Sequence, residues 1–178
     1  MYSSRRKEGP PLTFKETPML EGRILNLASG ESGIVTNLEA EAIIAGALGE
    51  CALVTMRGQV SRKIIGSGVH YQSPEINQGK IGEIYHFLQD QYQIDPESIS
   101  TSIIWGKAID KENVEAILKE LEEIGISNFQ ESEGAQGVLI LASGQVLVEV
   151  TPEIRKQIAD HYRWLKGYRQ AIIEKITG

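Results

Sequence analysis

Apolar residues recur along this chain with two periods, and the alternation between them lays out most of its elements. Ala52 to Arg57 is rich in strand formers, Ile64 to His70 reads as a second strand, and Gly58 to Lys63 supplies the loop of a hairpin. Farther on, Ile81, Ile84, Tyr85, Leu88 and Tyr92 return at helical spacing and predict an amphipathic helix over 80–92; His86 falls off that stripe, as a solvated position. Asp95-Pro96 breaks the chain before a strand at about Ile99 to Trp105. Asp110 is placed to cap a second helix with the stripe Val114, Ile117, Leu118, Leu121 and Ile124, ended by Gly125. Ile126 to Val150 reads as strands separated by two glycine turns.

The first third is less regular. Leu20 to Leu27 predicts a first strand, Gly30-Glu31-Ser32-Gly33 a turn, and Ile34-Val35-Thr36 a return to extended chain. Asn37 would cap a short helix over Leu38 to Leu48, rich in good helix formers and ended by Gly49. Met1 to Pro18 has few large apolar groups and reads as a loose tail. Thr151-Pro152 opens a separate helical pattern reaching Ile176, which at about 1.5 Å per residue would span well over 30 Å. Its His161, Arg163, Trp164, Lys166, Tyr168 and Arg169 mix cationic and aromatic character that could contact an acidic partner or nucleic acid, but a solvated helix side with its aromatics partly packed is the better reading. The division is therefore a tail at 1–18, an α/β domain at 19–150 and a helical extension at 151–178. Helices alternating with strands, then a closing hairpin, predict a layered α/β sandwich on a mixed sheet.

Composition narrows the class. With 41% hydrophobic and 24% charged residues the chain is an ordinary globular protein, and its formal charge of −6 argues against broad nucleic-acid binding. One cysteine permits no internal disulfide, and no charged leader followed by an apolar run is seen, so a cytoplasmic location is expected. No run of about twenty apolar residues predicts membrane insertion. One cysteine and three scattered histidines form no zinc-ligand spacing, and phosphate-loop fingerprints are absent.

The chemistry lies around that cysteine. Cys51 ends the small-residue stretch Ala45-Gly46-Ala47-Leu48-Gly49-Glu50, and Gly66-Ser67-Gly68-Val69-His70 follows one hairpin later. A loop centred near Val60 and Ser61 sets residue 51 opposite residue 70, where Cβ atoms lie roughly 4.5–5.5 Å apart. Alternation then puts Gly66 and Gly68 on the face of His70, leaving space above the sulfur for a substrate. A glycine-bearing hairpin with a buried thiol needs no active site, and an unrelated α/β domain with an inert Cys51 is the plain alternative.

The order of motifs from the cysteine onward resembles the CheD family, bacterial and archaeal chemotaxis proteins that deamidate glutamine side chains on chemoreceptors. The resemblance is carried by Leu48-Gly49-Glu50-Cys51, Gly66-Ser67-Gly68-Val69-His70, Gly79-Lys80 at a helix start, Ile103-Ile104-Trp105-Gly106, and Asp110 to Ala116 with Asn113 in a first turn. Glu133 to Val138 and Ser143 to Val148 fit the closing turn and hairpin, so the match spans roughly Ala45 to Val150. In that family an extended segment, not a helix, leads into the cysteine turn. Its threonine, whose hydroxyl assists the histidine, is matched here by Ala45; Thr36, across a gap, and Thr55, on the cysteine's face, are the candidates for that hydroxyl. Glu50 replaces a small neutral residue, and a carboxylate beside a thiol disfavours the thiolate unless it points away.

What the resemblance implies is a hydrolase in signal transduction, without metal or organic cofactor. Cys51 would be the nucleophile and His70 the base, with Thr36 in the catalytic set and Gly49, Glu50 and Gly68 around the substrate. The substrate would be a chemoreceptor or another protein, and a CheC-like phosphatase a further partner. The alternative within the same fold is a catalytically silent CheD-like interaction module in chemotaxis or signalling.

Overall fold

A computed structural model describes residues 24–149 together with Pro152 and Lys156. The tail at 1–18 and nearly all of the extension at 151–178 lie outside the described residues. Among the described residues nine strands run in the order β1 (Ile24–Asn26), β2 (Ser32–Thr36), β3 (Ala42–Ala45), β4 (Ala52–Val60), β5 (Lys63–Tyr71), β6 (Ser100–Trp105), β7 (Gln130–Glu133), β8 (Gly137–Ile140) and β9 (Val146–Leu147). Helices α1 (Pro74–Asn77) and α2 (Lys80–Tyr92) follow β5, and α3 (Lys111–Glu123) joins β6 to β7.

The fold is a layered α/β arrangement, but on two mixed sheets where one was expected. The five-stranded sheet has the order β2-β5-β4-β6-β7 and the four-stranded sheet the order β1-β3-β8-β9. One face of the larger sheet carries Val54, Met56, Val69 and Ile103 against Ile81, Ile84 and Leu88 of α2 and Ile117 and Leu121 of α3. The other carries Leu53 and Ile104 against Leu25, Leu27, Ile43, Leu139 and Leu141 of the smaller sheet and its loops. Burying each such aliphatic side chain contributes roughly 1.5–3 kcal/mol, so the two cores hold the layers in register.

Both long helices occupy the stretches their periodicity predicts. The Asp110 carboxylate accepts the Asn113 N–H at 2.8 Å, and α3 runs out at Gly125, whose φ of +80° suits the left-handed turn there. His86 is exposed, as its place off the stripe requires.

The helix expected over Leu38 to Leu48 does not form. A turn at 37–39 leads instead into β3, whose four residues Ala42-Ile43-Ile44-Ala45 are all buried between β1 and β8. Tertiary burial overrides the helix propensity of alanine and glutamate, and a strand rather than a helix precedes the cysteine turn, with Ala47 between them at φ of +50°.

The β4–β5 hairpin is centred one residue later than expected. Val60 pairs with Lys63, so Leu53, not Cys51, stands opposite His70. The turn is the two residues Ser61-Arg62, and Gly58, read as loop, lies within β4. A Cβ at Gly58 would fall 2.8 Å from Ile94, which is why glycine sits there.

Candidate active site

The cysteine turn is built by backbone. Gly49, with φ of +46°, reverses the chain, and the Cys51 N–H donates to the Leu48 carbonyl at 2.5 Å. From the neighbouring loops the Gly106 N–H donates to the Cys51 carbonyl and the Ala108 N–H to the Gly49 carbonyl, each at 2.9 Å, while the Leu48 N–H donates to Ala135 at 2.8 Å. Cys51 therefore has little freedom to move.

Two buried asparagines tie this turn to the loops beside it. The Asn113 side-chain amide donates to the Gln72 carbonyl at 2.9 Å and the Glu50 carbonyl at 3.3 Å. Asn77 accepts the Gln72 N–H at 2.7 Å and donates to the Gly30 carbonyl at 3.0 Å. Loops 28–31, 49–51 and 72–78 are thus linked in one polar chain.

The two-residue register shift preserves the face. Residues 51 and 53 point the same way, so His70 opposite Leu53 is a diagonal neighbour of Cys51, at a Cβ separation of roughly 7 Å, and no hydrogen bond joins His70 Nε2 to Cys51 Sγ. His70 is 2% exposed and Cys51 8% exposed.

His70 Nδ1 lies 2.9 Å from the Leu27 carbonyl, which only accepts, so Nδ1 carries the proton. Nε2 is buried and finds no hydrogen-bond partner among the described residues. Desolvation by burial lowers the imidazole pKa, against smaller upward effects of the Leu27 hydrogen bond and the Glu31 charge. At neutral pH the ring is neutral and Nε2 bears a free lone pair. The sulfur has its own contact: Ser29 Oγ is 3.4 Å from Cys51 Sγ.

No family model matches the chain, and no curated protein matches it.

The remaining predicted residues divide. Thr36 is not at the site: it pairs with Ile65, five residues along β5 from His70, or roughly 16 Å at the strand rise. Thr55 shares the face of Cys51, but its hydroxyl is bonded to that of Ser102. The Leu27 carbonyl instead supports His70. Gly68 does not leave open space, since a Cβ there would meet Leu27 at 2.9 Å and Ile43 at 3.0 Å, and one at Gly66 would meet Leu141 at 3.1 Å. These glycines let the smaller sheet pack closely, which corrects the expectation of a substrate channel above them. Glu50 is exposed, with its carbonyl held by Asn113. Of the turn amides, that of Cys51 is engaged, whereas the Gly49 and Glu50 N–H groups donate to nothing among the described residues. Leu27, Ser29 and Asn77 were missed, because nothing in a turn-forming Ser-Gly-Glu-Ser run announces contacts with residues more than twenty positions away.

Among the described residues no group of three or more His, Cys, Asp or Glu is placed to hold a metal ion, and no helix is long and apolar enough to cross a membrane.

Proposed function

We propose that this chain is a CheD-like, cysteine-dependent deamidase of protein glutamine side chains. The observation that carries the reading is the state of His70: Nδ1–H is committed to Leu27, and a desolvated Nε2 lone pair, without a partner among the described residues, stands on the face of Cys51. A thiol needs such a base, because at neutral pH it is mostly protonated.

Nε2 takes the Cys51 proton as sulfur attacks the side-chain carbonyl carbon of glutamine. The tetrahedral oxyanion is met by the N–H groups of Gly49 and Glu50, rather than by that of Cys51, which is held by Leu48. The imidazolium returns its proton to the leaving nitrogen, ammonia departs, and a thioester remains. His70 then takes a proton from water, hydroxide adds to the thioester, and collapse restores the thiol and leaves glutamate. Converting a neutral amide to a carboxylate adds one negative charge to a receptor helix, enough to bias a two-state signalling element.

The test is incubation with glutamine-bearing chemoreceptor cytoplasmic helices followed by peptide mass spectrometry. The reading predicts a gain of about one dalton per converted side chain, lost in Cys51→Ala and His70→Ala. Stable complex formation without conversion would instead identify a silent interaction module.

A further inference from the structure

The residue at the sulfur that the proposed chemistry leaves unused is Ser29. Its hydroxyl lies 3.4 Å from Cys51 Sγ, and Ser29 is exposed whereas Cys51 is buried, so the contact reaches the sulfur from the solvent side. The loop that bears it is fixed on both flanks. Leu27 holds His70 through its carbonyl, and Gly30, with φ of +84°, donates its N–H to the His70 carbonyl at 2.9 Å and accepts the Asn77 amide at 3.0 Å. A Cβ at Gly30 would meet Gln72 at 3.0 Å and Ile76 at 3.2 Å, so the loop is packed as well as bonded. Imidazole and thiol are thereby served by two residues of a single three-residue stretch.

We propose that Ser29 is a catalytic hydroxyl that donates to the Cys51 thiolate once His70 Nε2 has taken the sulfur's proton. The proposal rests on the deamidase reading and deepens it. With the thiol protonated, either group can donate; with thiolate present, only the Ser29 O–H can, so the contact favours the ionised sulfur. No proton leaves Ser29 and no bond to it forms. Ala45, buried at the end of β3, has no hydroxyl to offer, and Thr36 and Thr55 are placed elsewhere.

This role has a signature that packing does not share. Removing one hydrogen bond to a charged sulfur lowers the thiolate fraction at neutral pH by roughly tenfold. The less stabilised thiolate is intrinsically more nucleophilic, by about threefold for a Brønsted slope near one half. Alkylation by iodoacetamide in the folded Ser29→Ala variant should therefore be roughly threefold slower than wild type near pH 7 and roughly threefold faster at high pH, where the thiolate is complete in both. The rate curves cross, and Ser29→Thr restores the wild-type curve. A loosened loop would raise the rate at every pH. Curves that coincide, or that stay parallel without crossing, overturn the Ser29 role while leaving a His70-dependent thiol intact. A wild-type thiol that alkylates only on unfolding overturns the deamidase reading, and the Ser29 role with it.

Discussion

Gly106 is the position where one added methyl group strikes the cysteine turn most directly. A Cβ built there lands against the Gly49 carbonyl oxygen, 2.5 Å from the Cys51 carbonyl oxygen and 2.9 Å from the Gly49 carbonyl carbon. These are backbone atoms, which no rotamer change can move aside. Retreat of the turn breaks the hydrogen bonds from Gly106 N–H to Cys51 and from Ala108 N–H to Gly49. Each is worth about 1 kcal/mol, and overpacking adds typically 1–3 kcal/mol, so Gly106→Ala should cost about 3–5 kcal/mol. For an m-value of about 2 kcal/mol per molar urea, the unfolding midpoint drops by about 2 M. Urea denaturation followed by circular dichroism reads it, and glutamine conversion by any folded fraction should fall with it because Cys51 is displaced. A midpoint within about 0.5 M of wild type would show that the 105–108 loop does not buttress the cysteine turn.

Further predictions concern the buried polar groups and the helices. Replacing Asn113 by Ala removes two hydrogen bonds to carbonyls flanking the thiol and imidazole strands, and should lower stability by about 2–4 kcal/mol in urea titrations. Glu120 of α3 accepts the Gly79 N–H at 2.9 Å and the Tyr71 hydroxyl at 3.1 Å, and burial raises its carboxyl pKa. The native state thus binds its proton more readily than the unfolded chain, a contribution present below the ordinary carboxylate pKa and lost as pH rises through the native value; Glu120→Gln should remove that dependence, read as unfolding midpoints from pH 4 to 8. His70 has the opposite sense. Its native pKa is lowered, so the unfolded chain takes up a proton first as pH falls through about 6.5, and stability declines until pH passes below the native value. His70→Asn, which keeps a donor toward Leu27, should flatten that decline in the same titration. Gly82 lies within α2, where a Cβ meets only Ile124 at 3.5 Å, so Gly82→Ala should stabilise the protein by about 0.5–1 kcal/mol and raise its melting temperature.

The sequence displayed the elements that carry their own punctuation. Lys80 to Tyr92 and Lys111 to Glu123 combine an apolar stripe with a glycine or aspartate at the start and a breaker beyond the end, and these local signals agree with the packing. Ala42 to Ala45 is a short strand buried on both faces, which apolar periodicity does not distinguish from a buried helical turn; alanine and glutamate around it tipped the reading toward helix. The hairpin lacks a strong turn signal, because Ser61, not glycine or asparagine, adopts φ of +55°. Its centre lies one residue beyond the predicted one, yet a shift of two in pairing returns every side chain to its face and keeps Cys51 and His70 on one side. Gly66 and Gly68 were visible as unusual strand residues, but their purpose is fixed by Leu27, Ile43 and Leu141 from another sheet. Long-range packing of that kind leaves no local trace, and neither does the support of His70 by a carbonyl, which any residue possesses.

Whether His70 Nε2 activates the Cys51 thiol is read from the alkylation rate of Cys51 at pH 7 in folded wild type, in folded His70→Ala and in the urea-unfolded chain. The folded wild-type thiol should react faster than the unfolded one and lose at least roughly tenfold of its rate without the imidazole. A native thiol slower than the unfolded chain and indifferent to His70 would contradict that activation.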